Sequence, residues 1–141
     1  MTRAPGFLIV CVAAFLPHWG GLQAADLPQL LTYRQLLTDP AEYSGRRVSV
    51  AACASTAMHH GAYLYDCDDP DAQIVTLGGS RAAEQALFGQ HSVVEQRRVS
   101  ATVTGVFTFE PDAQAACCMD TRYMLELDAV SGVTSLPVEQ P

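Results

Sequence analysis

Apolar and polar residues alternate in five segments of this chain, and a short helical pattern separates the third segment from the fourth. A period of two is typical of a strand that buries one face, whereas apolar residues three or four positions apart indicate a helix. The pattern therefore predicts an all-β chain with one or two short helices, whose strands follow the order β-β-β-α-β-β and form a five-stranded barrel. The strand segments are 47–57, 62–67, 73–78, 97–109 and 122–130, and the helical segment is 80–90.

The same alternation predicts which side chains enter the core. Ser80 is suited to begin the helix and Gly89 to end it, because a serine hydroxyl caps free amide groups and glycine adopts a left-handed backbone. Gly105 interrupts the apolar series of the fourth strand, where a barrel strand would bend or bulge. The predicted core includes Val48, Val50, Leu64 and Val103.

A helical lead-in precedes the first strand, because Leu30, Leu31, Tyr33, Leu36 and Leu37 recur at helical spacing. It continues into Leu36-Leu37-x-Asp39-Pro40-x-x-Tyr43-x-Gly45-Arg46-x-Val48-x-Val50. This segment resembles the opening of small, uncharacterised periplasmic OB-fold domains of bacteria, in which a short helix, a proline, an aromatic residue and a glycine precede a basic residue and the first strand. The resemblance implies an OB-fold-like barrel behind a short N-terminal helix, and it implies no particular activity.

The first 25 residues have the features of a secretory signal peptide. Arg3 supplies a positive start, residues 7–16 form an apolar run, and small residues near Ala24 offer a cleavage site. The run is shorter than the roughly 20 residues that a membrane span needs. We therefore expect a periplasmic or secreted bacterial protein with no membrane span after processing. The expected organisation is a signal peptide (1–25), a helical lead-in (26–45), a barrel (46–131) and a flexible tail (132–141).

The charge balance argues against nucleic acid as a partner. The formal net charge is −7, and all eight basic residues are arginines. An acidic chain repels phosphate backbones, whereas proteins that bind nucleic acids normally carry a basic patch. We expect instead a protein, a peptide or a small ligand of the cell envelope as the partner, no resident cofactor, and a monomer.

Four cysteines follow the predicted signal peptide, and in an exported protein an even number indicates disulfides. If the first two strands turn around His60, Cys53 and Cys67 face each other directly and can form a disulfide. Cys117 and Cys118 are then free to form a vicinal ring, to stay reduced or to bind a metal. Alternatively, one of these two bridges to Cys53 or Cys67.

The candidate site residues follow from the expected OB-fold-like barrel. Tyr63 and Tyr65 share the outer face of the second strand, where they either pack across strands or stack on a ligand. In OB-fold barrels the loop between the first and second strands and the loop between the fourth and fifth strands flank the ligand face. Those two loops carry His59, His60, Cys117 and Cys118, a donor set that suits zinc or copper. The alternative is a pair of exposed imidazoles beside a disulfide.

Nothing in the sequence has the spacing of a catalytic motif, so we do not expect an enzyme. The four aspartates of residues 66–71 lack the glycine and the distant glutamate of a calcium loop, and they predict a solvated acidic turn. The leading hypothesis is a non-catalytic binding or interaction module of the cell envelope. One alternative is a metal- or thiol-handling protein that uses the His-His and Cys-Cys pairs. The other is oligosaccharide binding on the two tyrosines.

Overall fold

The computed structural model describes residues 27–57, 61–91, 95–114 and 120–138. The predicted signal peptide (1–25), the His59-His60 pair and the Cys117-Cys118 pair lie outside the described residues. The strands are β1 (Leu30–Thr32), β2 (Arg47–Ala57), β3 (Gly61–Tyr65), β4 (Val75–Gly79), β5 (Arg98–Phe109) and β6 (Tyr123–Ser135). The helices are α1 (Tyr33–Thr38), α2 (Pro40–Tyr43) and α3 (Arg81–Phe88).

Strands β2 to β6 close into a five-stranded barrel. Antiparallel pairing joins β2 to β3 and β3 to β4, and a parallel pairing joins β4 to β6. Antiparallel β6 then pairs with β5, and β5 returns to pair with β2. The prediction of a β-rich chain with a five-stranded barrel and few short helices is confirmed.

The barrel interior contains the side chains that the alternation assigned to it. Val50, Leu64 and Val103 are fully buried and Val48 is 4% exposed. Phe107 and Leu125 are the largest fully buried side chains of β5 and β6. This apolar interior is the main source of stability, because removal of apolar surface from water is the dominant favourable contribution to folding.

The lead-in begins with a short strand rather than with a helix. Leu31 is paired in parallel with Val50, so β1 lies along β2. Helix α1 begins only after Thr32, whose Oγ1 accepts a hydrogen bond from the Gln35 backbone N–H while the Gln35 side chain accepts one from the Thr32 backbone. This reciprocal cap sets the start of the helix, and the apolar spacing of the preceding leucines does not extend it.

The predicted register between β2 and β3 is wrong by two residues. Cys53 lies opposite Tyr65, not opposite Cys67. A shift by two leaves every side chain on its expected face, because side chains alternate with a period of two. The predicted disulfide is nevertheless present: Cys67 follows β3, and the Cα atoms of Cys53 and Cys67 are 5.0 Å apart.

The predicted ends of the helix, Ser80 and Gly89, and the predicted bulge at Gly105 are confirmed. The Ser80 Oγ accepts a hydrogen bond from the Ala83 backbone N–H, and α3 ends at Gly89, which has a positive φ of 71°. At Gly105 the β5–β6 register shifts, and a Cβ atom there would overlap the carbonyl oxygen of Glu126. Glycine is therefore required where the two backbones approach.

Strand β6 continues to Ser135, beyond the expected barrel end at residue 131. Ser135 is paired with Val99, and the Leu136 backbone N–H donates to the Arg98 carbonyl. The first part of the expected tail is therefore a strand. None of the helices in the described part of the chain has the length and apolar character needed to cross a membrane.

Candidate functional site

The candidate site lies on the outer face of three neighbouring strands. Ser55 of β2 is paired with Tyr63 of β3 on one side and with Arg98 of β5 on the other. Tyr65 is two residues after Tyr63, so both tyrosines project from the same face of β3. The closed barrel thus places a serine, two tyrosines and an arginine side by side, although they come from three separate segments of the sequence.

The two tyrosines differ in accessibility. Tyr65 is 4% exposed, and its hydroxyl accepts a hydrogen bond from Arg98 Nε over 3.0 Å. The Arg98 guanidinium carbon also lies 5.6 Å from the centre of the Tyr65 ring, within the range of a cation–π contact. Tyr63 is half-buried, and its ring centre is 6.1 Å from that of Tyr65. Tyr65 is therefore held within the face by Arg98, whereas part of the Tyr63 side chain is accessible to solvent.

A pocket of about 130 Å³ opens beside Tyr63. Its walls combine aromatic and aliphatic side chains with an amide and a guanidinium group. Polar atoms contribute more of the lining surface than apolar atoms do, and the tyrosine rings, Pro70 and Val138 supply the apolar part. We call it the Tyr63 pocket; its lining residues are Ser55, Tyr63, Tyr65, Pro70, Gln96, Arg98 and Val138.

Pro70, which lines the Tyr63 pocket, belongs to the acidic turn of residues 66–71. Asp66 is buried, and its Oδ2 accepts a hydrogen bond of 2.6 Å from Arg34 Nε. The Arg34 guanidinium is the main cause that lowers the pKa of the Asp66 carboxyl. Asp68 and Asp69 are exposed, as expected for a solvated turn, but Asp66 is not. Together with the Cys53–Cys67 disulfide, this ion pair fixes the turn that leads to Pro70.

A second ionic cluster, which we did not anticipate from the sequence, fixes the chain where it enters β6. Arg122 donates hydrogen bonds from Nε and Nη2 to the Asp120 carboxylate, and Gln73 donates another over 3.1 Å. These contacts, led by Arg122, lower the pKa of Asp120 to about 2. Thr76 of β4 also donates to the Asp120 carbonyl. The spacing of Asp120 and Arg122 is the only signal in the sequence, and it is too common to have predicted this cluster.

Tyr33 connects α1 to the strands beneath the candidate site. Its hydroxyl lies 2.6 Å from the Gln73 carbonyl oxygen and 3.1 Å from that of Leu64. Burial raises the pKa of Tyr33, so the phenol stays neutral over the ordinary pH range. The sequence identified Tyr33 as an apolar helix position and did not indicate this polar contact.

The predicted histidine and cysteine ligands are not among the described residues, so the metal hypothesis stays a prediction. Within the parts of the chain that the structure describes, no group of three or more histidine, cysteine, aspartate or glutamate side chains could hold a metal ion.

Comparisons with known proteins do not indicate a family, so the inference of function rests on the candidate site alone. A scan against protein-family models, a search of curated proteins and a search of solved structures each gave no match to this chain.

Proposed function

We propose that this protein is a non-catalytic binding module of the bacterial cell envelope, and that the Tyr63 pocket receives its ligand. The observation that carries the proposal is the half-exposed Tyr63 ring packed on a Tyr65 side chain that Arg98 holds in place. A pre-positioned aromatic side chain loses little conformational freedom when a ligand packs on it, which favours binding.

The topology supports an OB-fold-like barrel, which is the finer fold assignment that we propose. A helix between β4 and β5, a parallel contact between β4 and β6, and closure between β2 and β5 agree with a five-stranded Greek-key barrel of this type. In OB-fold barrels the second and third strands form the ligand face. Here those strands are β3 and β4, and β3 carries Tyr63.

Two further observations support the proposed location and partner class. The disulfide between Cys53 and Cys67 is of a kind that persists in oxidising compartments such as the periplasm. The net charge of −7 disfavours a nucleic-acid ligand.

The dimensions of the Tyr63 pocket favour one side chain of a protein or peptide partner. A cavity of about 130 Å³ is smaller than the roughly 300–1,000 Å³ of sites that enclose a whole small molecule. Tyr63, Pro70 and Val138 would contact an apolar or aromatic side chain, and Gln96 would hydrogen-bond the adjacent backbone. Aromatic side chains in such pockets commonly dominate the affinity of protein contacts.

Selection of phage-displayed random peptides on the purified protein tests this proposal. We expect enriched peptides that bind wild type about tenfold or more tightly than Tyr63→Ala, the loss typical of a central aromatic contact. The matched control is Tyr123→Ala, which removes a half-buried tyrosine of β6 that does not line the pocket. Thermal unfolding would establish that both variants are folded.

Two outcomes would contradict the proposal. Peptides that bind Tyr63→Ala as tightly as wild type would place their site elsewhere. Binding to oligosaccharides on a glycan array, lost in Tyr63→Ala and accompanied by no peptide binding, would replace the peptide partner with a sugar.

A further inference from the structure

We infer a second binding site, for an amphipathic organic anion, at the opposite end of β2. There Leu27, Tyr43 and Arg46 line a cavity of about 400 Å³. Its volume lies within the roughly 300–1,000 Å³ of small-molecule sites. We call it the Arg46 cavity. Arg47 and Ser55 are near the two ends of β2, about 26 Å apart along an extended strand, so this cavity is separate from the Tyr63 pocket.

The backbone that carries Tyr43 and Arg46 is fixed by hydrogen bonds to β5. The Gly45 N–H donates to the Phe107 carbonyl over 2.8 Å, and the Phe107 N–H donates to the Arg46 carbonyl over 3.0 Å. The Arg46 N–H closes a turn onto the Tyr43 carbonyl, and Gly45 makes this turn with a φ of 77°. The backbone at Tyr43 and Arg46 is thus fixed before any ligand arrives, which favours a specific site.

The charge of the Arg46 cavity is opposite to that of the chain as a whole. The sequence has 15 acidic and 8 basic residues, yet the described lining of this cavity includes Arg46 and Arg47 and no aspartate or glutamate. Arg47 is paired with Asp128 through two hydrogen bonds of 3.0 Å. Arg46 is exposed and forms no ion pair within the described residues. Its guanidinium is therefore suited to a carboxylate or phosphate group, which it can bind with two parallel hydrogen bonds.

Apolar side chains beside Arg46 indicate that the anion has an apolar part. Among the lining residues, Leu27 is 90% exposed, and Leu31 and Val48 are buried. Tyr43 also lines the cavity and adds an aromatic side chain to it. Burial of an exposed leucine against an acyl or alkyl chain is favourable, because it removes apolar surface from water. An inorganic anion would leave these contacts unused.

Titration of the isotopically labelled protein with octanoate, followed by NMR, tests the inference. We expect saturable shifts at the amides of Tyr43, Arg46 and Val48. Acetate, which lacks the tail, and 1-octanol, which lacks the charge, should each bind about tenfold or more weakly. The affinity for octanoate should fall as salt is raised, because Arg46 is exposed and its charge is screened.

Variants at exposed positions identify the side chains involved without disturbing the core. Arg46→Gln should weaken octanoate binding by about tenfold, the effect of losing one charge-assisted contact, and Leu27→Ser should weaken it several-fold. The matched control Arg81→Gln removes an exposed arginine of α3 and should change nothing. Tyr63→Ala should also leave octanoate binding intact, so failure of this inference and failure of the proposed function are distinguishable.

Three results of the affinity measurements would overturn the second site. They are no binding of octanoate to wild type, equal binding by wild type and Arg46→Gln, or equal binding of octanoate and 1-octanol. Shifts confined to residues around Tyr63 would also reject the Arg46 cavity as the place of binding.

Discussion

Cys53 of β2 is bonded to Cys67, which lies two residues beyond its direct neighbour Tyr65 in the antiparallel pairing. The bond therefore runs diagonally from the middle of β2 to the turn after β3. It fixes the start of the acidic turn against the barrel, next to the ion pair between Arg34 and Asp66. Two links, one covalent and one ionic, thus determine where Pro70 stands beside Tyr63.

The paired variant Cys53→Ala/Cys67→Ala should lower the free energy of unfolding by about 3 kcal/mol. This is the loop-entropy value for a cross-link between residues separated by 14 positions. Urea denaturation would measure it, and reduction of wild type should cause a similar loss. Reduction should have little further effect on the variant; a large effect would show that other cysteines also stabilise the fold. An unchanged midpoint in the variant would contradict the stabilising role of this bond.

Gly105→Ala should destabilise the barrel by about 2–3 kcal/mol, because the added methyl would overlap the backbone carbonyl of Glu126, which can move only with β6. The matched control is Gly78→Ala, whose methyl would meet the flexible carboxylate of Glu126 at 2.7 Å. The control should cost less than about 1 kcal/mol, since a surface side chain can rotate away. Equal losses for the two variants in chemical denaturation would argue against a backbone constraint at Gly105.

The ionic cluster at Asp120 should make stability depend on pH in the acid range. The folded-state pKa of Asp120 is lowered to about 2 from an ordinary value of 3.8. Its contribution to stability is thus fully present above 3.8 and is lost as the pH falls from 3.8 towards 2. Asp120→Asn should therefore be less stable than wild type at pH 6, and the difference should shrink below pH 3.

Denaturation of both proteins at several pH values would measure this dependence. Asp112→Asn, at an exposed turn position, is the control and should follow wild type throughout. A stability difference between Asp120→Asn and wild type that is constant from pH 6 to pH 2 would contradict the ionic role of Asp120.

Removal of the hydroxyl group should affect stability at Tyr65, which is bonded to Arg98, but not at Tyr63. Tyr65→Phe deletes the acceptor of the Arg98 hydrogen bond and should lower the free energy of unfolding by about 1 kcal/mol. Tyr63→Phe should leave stability unchanged, because the Tyr63 hydroxyl makes no hydrogen bond within the described residues. Thermal unfolding of both variants would measure the two effects. A larger loss of stability in Tyr63→Phe than in Tyr65→Phe would contradict the structural role of the Tyr65 hydroxyl.

The sequence predicted best the features that depend on neighbouring residues. Alternation identified the buried faces of Val48, Val50 and Val103, because side-chain direction in a strand repeats every two residues. Ser80 and Gly105 were identified for similar reasons: helix capping and close backbone approach depend on the chemistry of a single residue.

The lead-in shows the limit of such local reasoning. Leu30 and Leu31 have helical spacing, but they form a strand because an existing edge of β2 was available to pair with them. Propensity for an isolated segment is weak compared with the contacts that the whole fold provides.

The sequence by itself determined that the chain forms a β-rich barrel and which faces its strands bury, and it left the Cys53–Cys67 disulfide as one of several possible pairings, which the structure then selected. Only the tertiary structure decided the β2–β3 register, since a slip of two residues preserves the same alternation and is invisible in the pattern. It also decided the contacts of Arg98 with Tyr65 and the cavity at Arg46. These unite residues far apart in the chain, and their proximity depends on how the barrel closes.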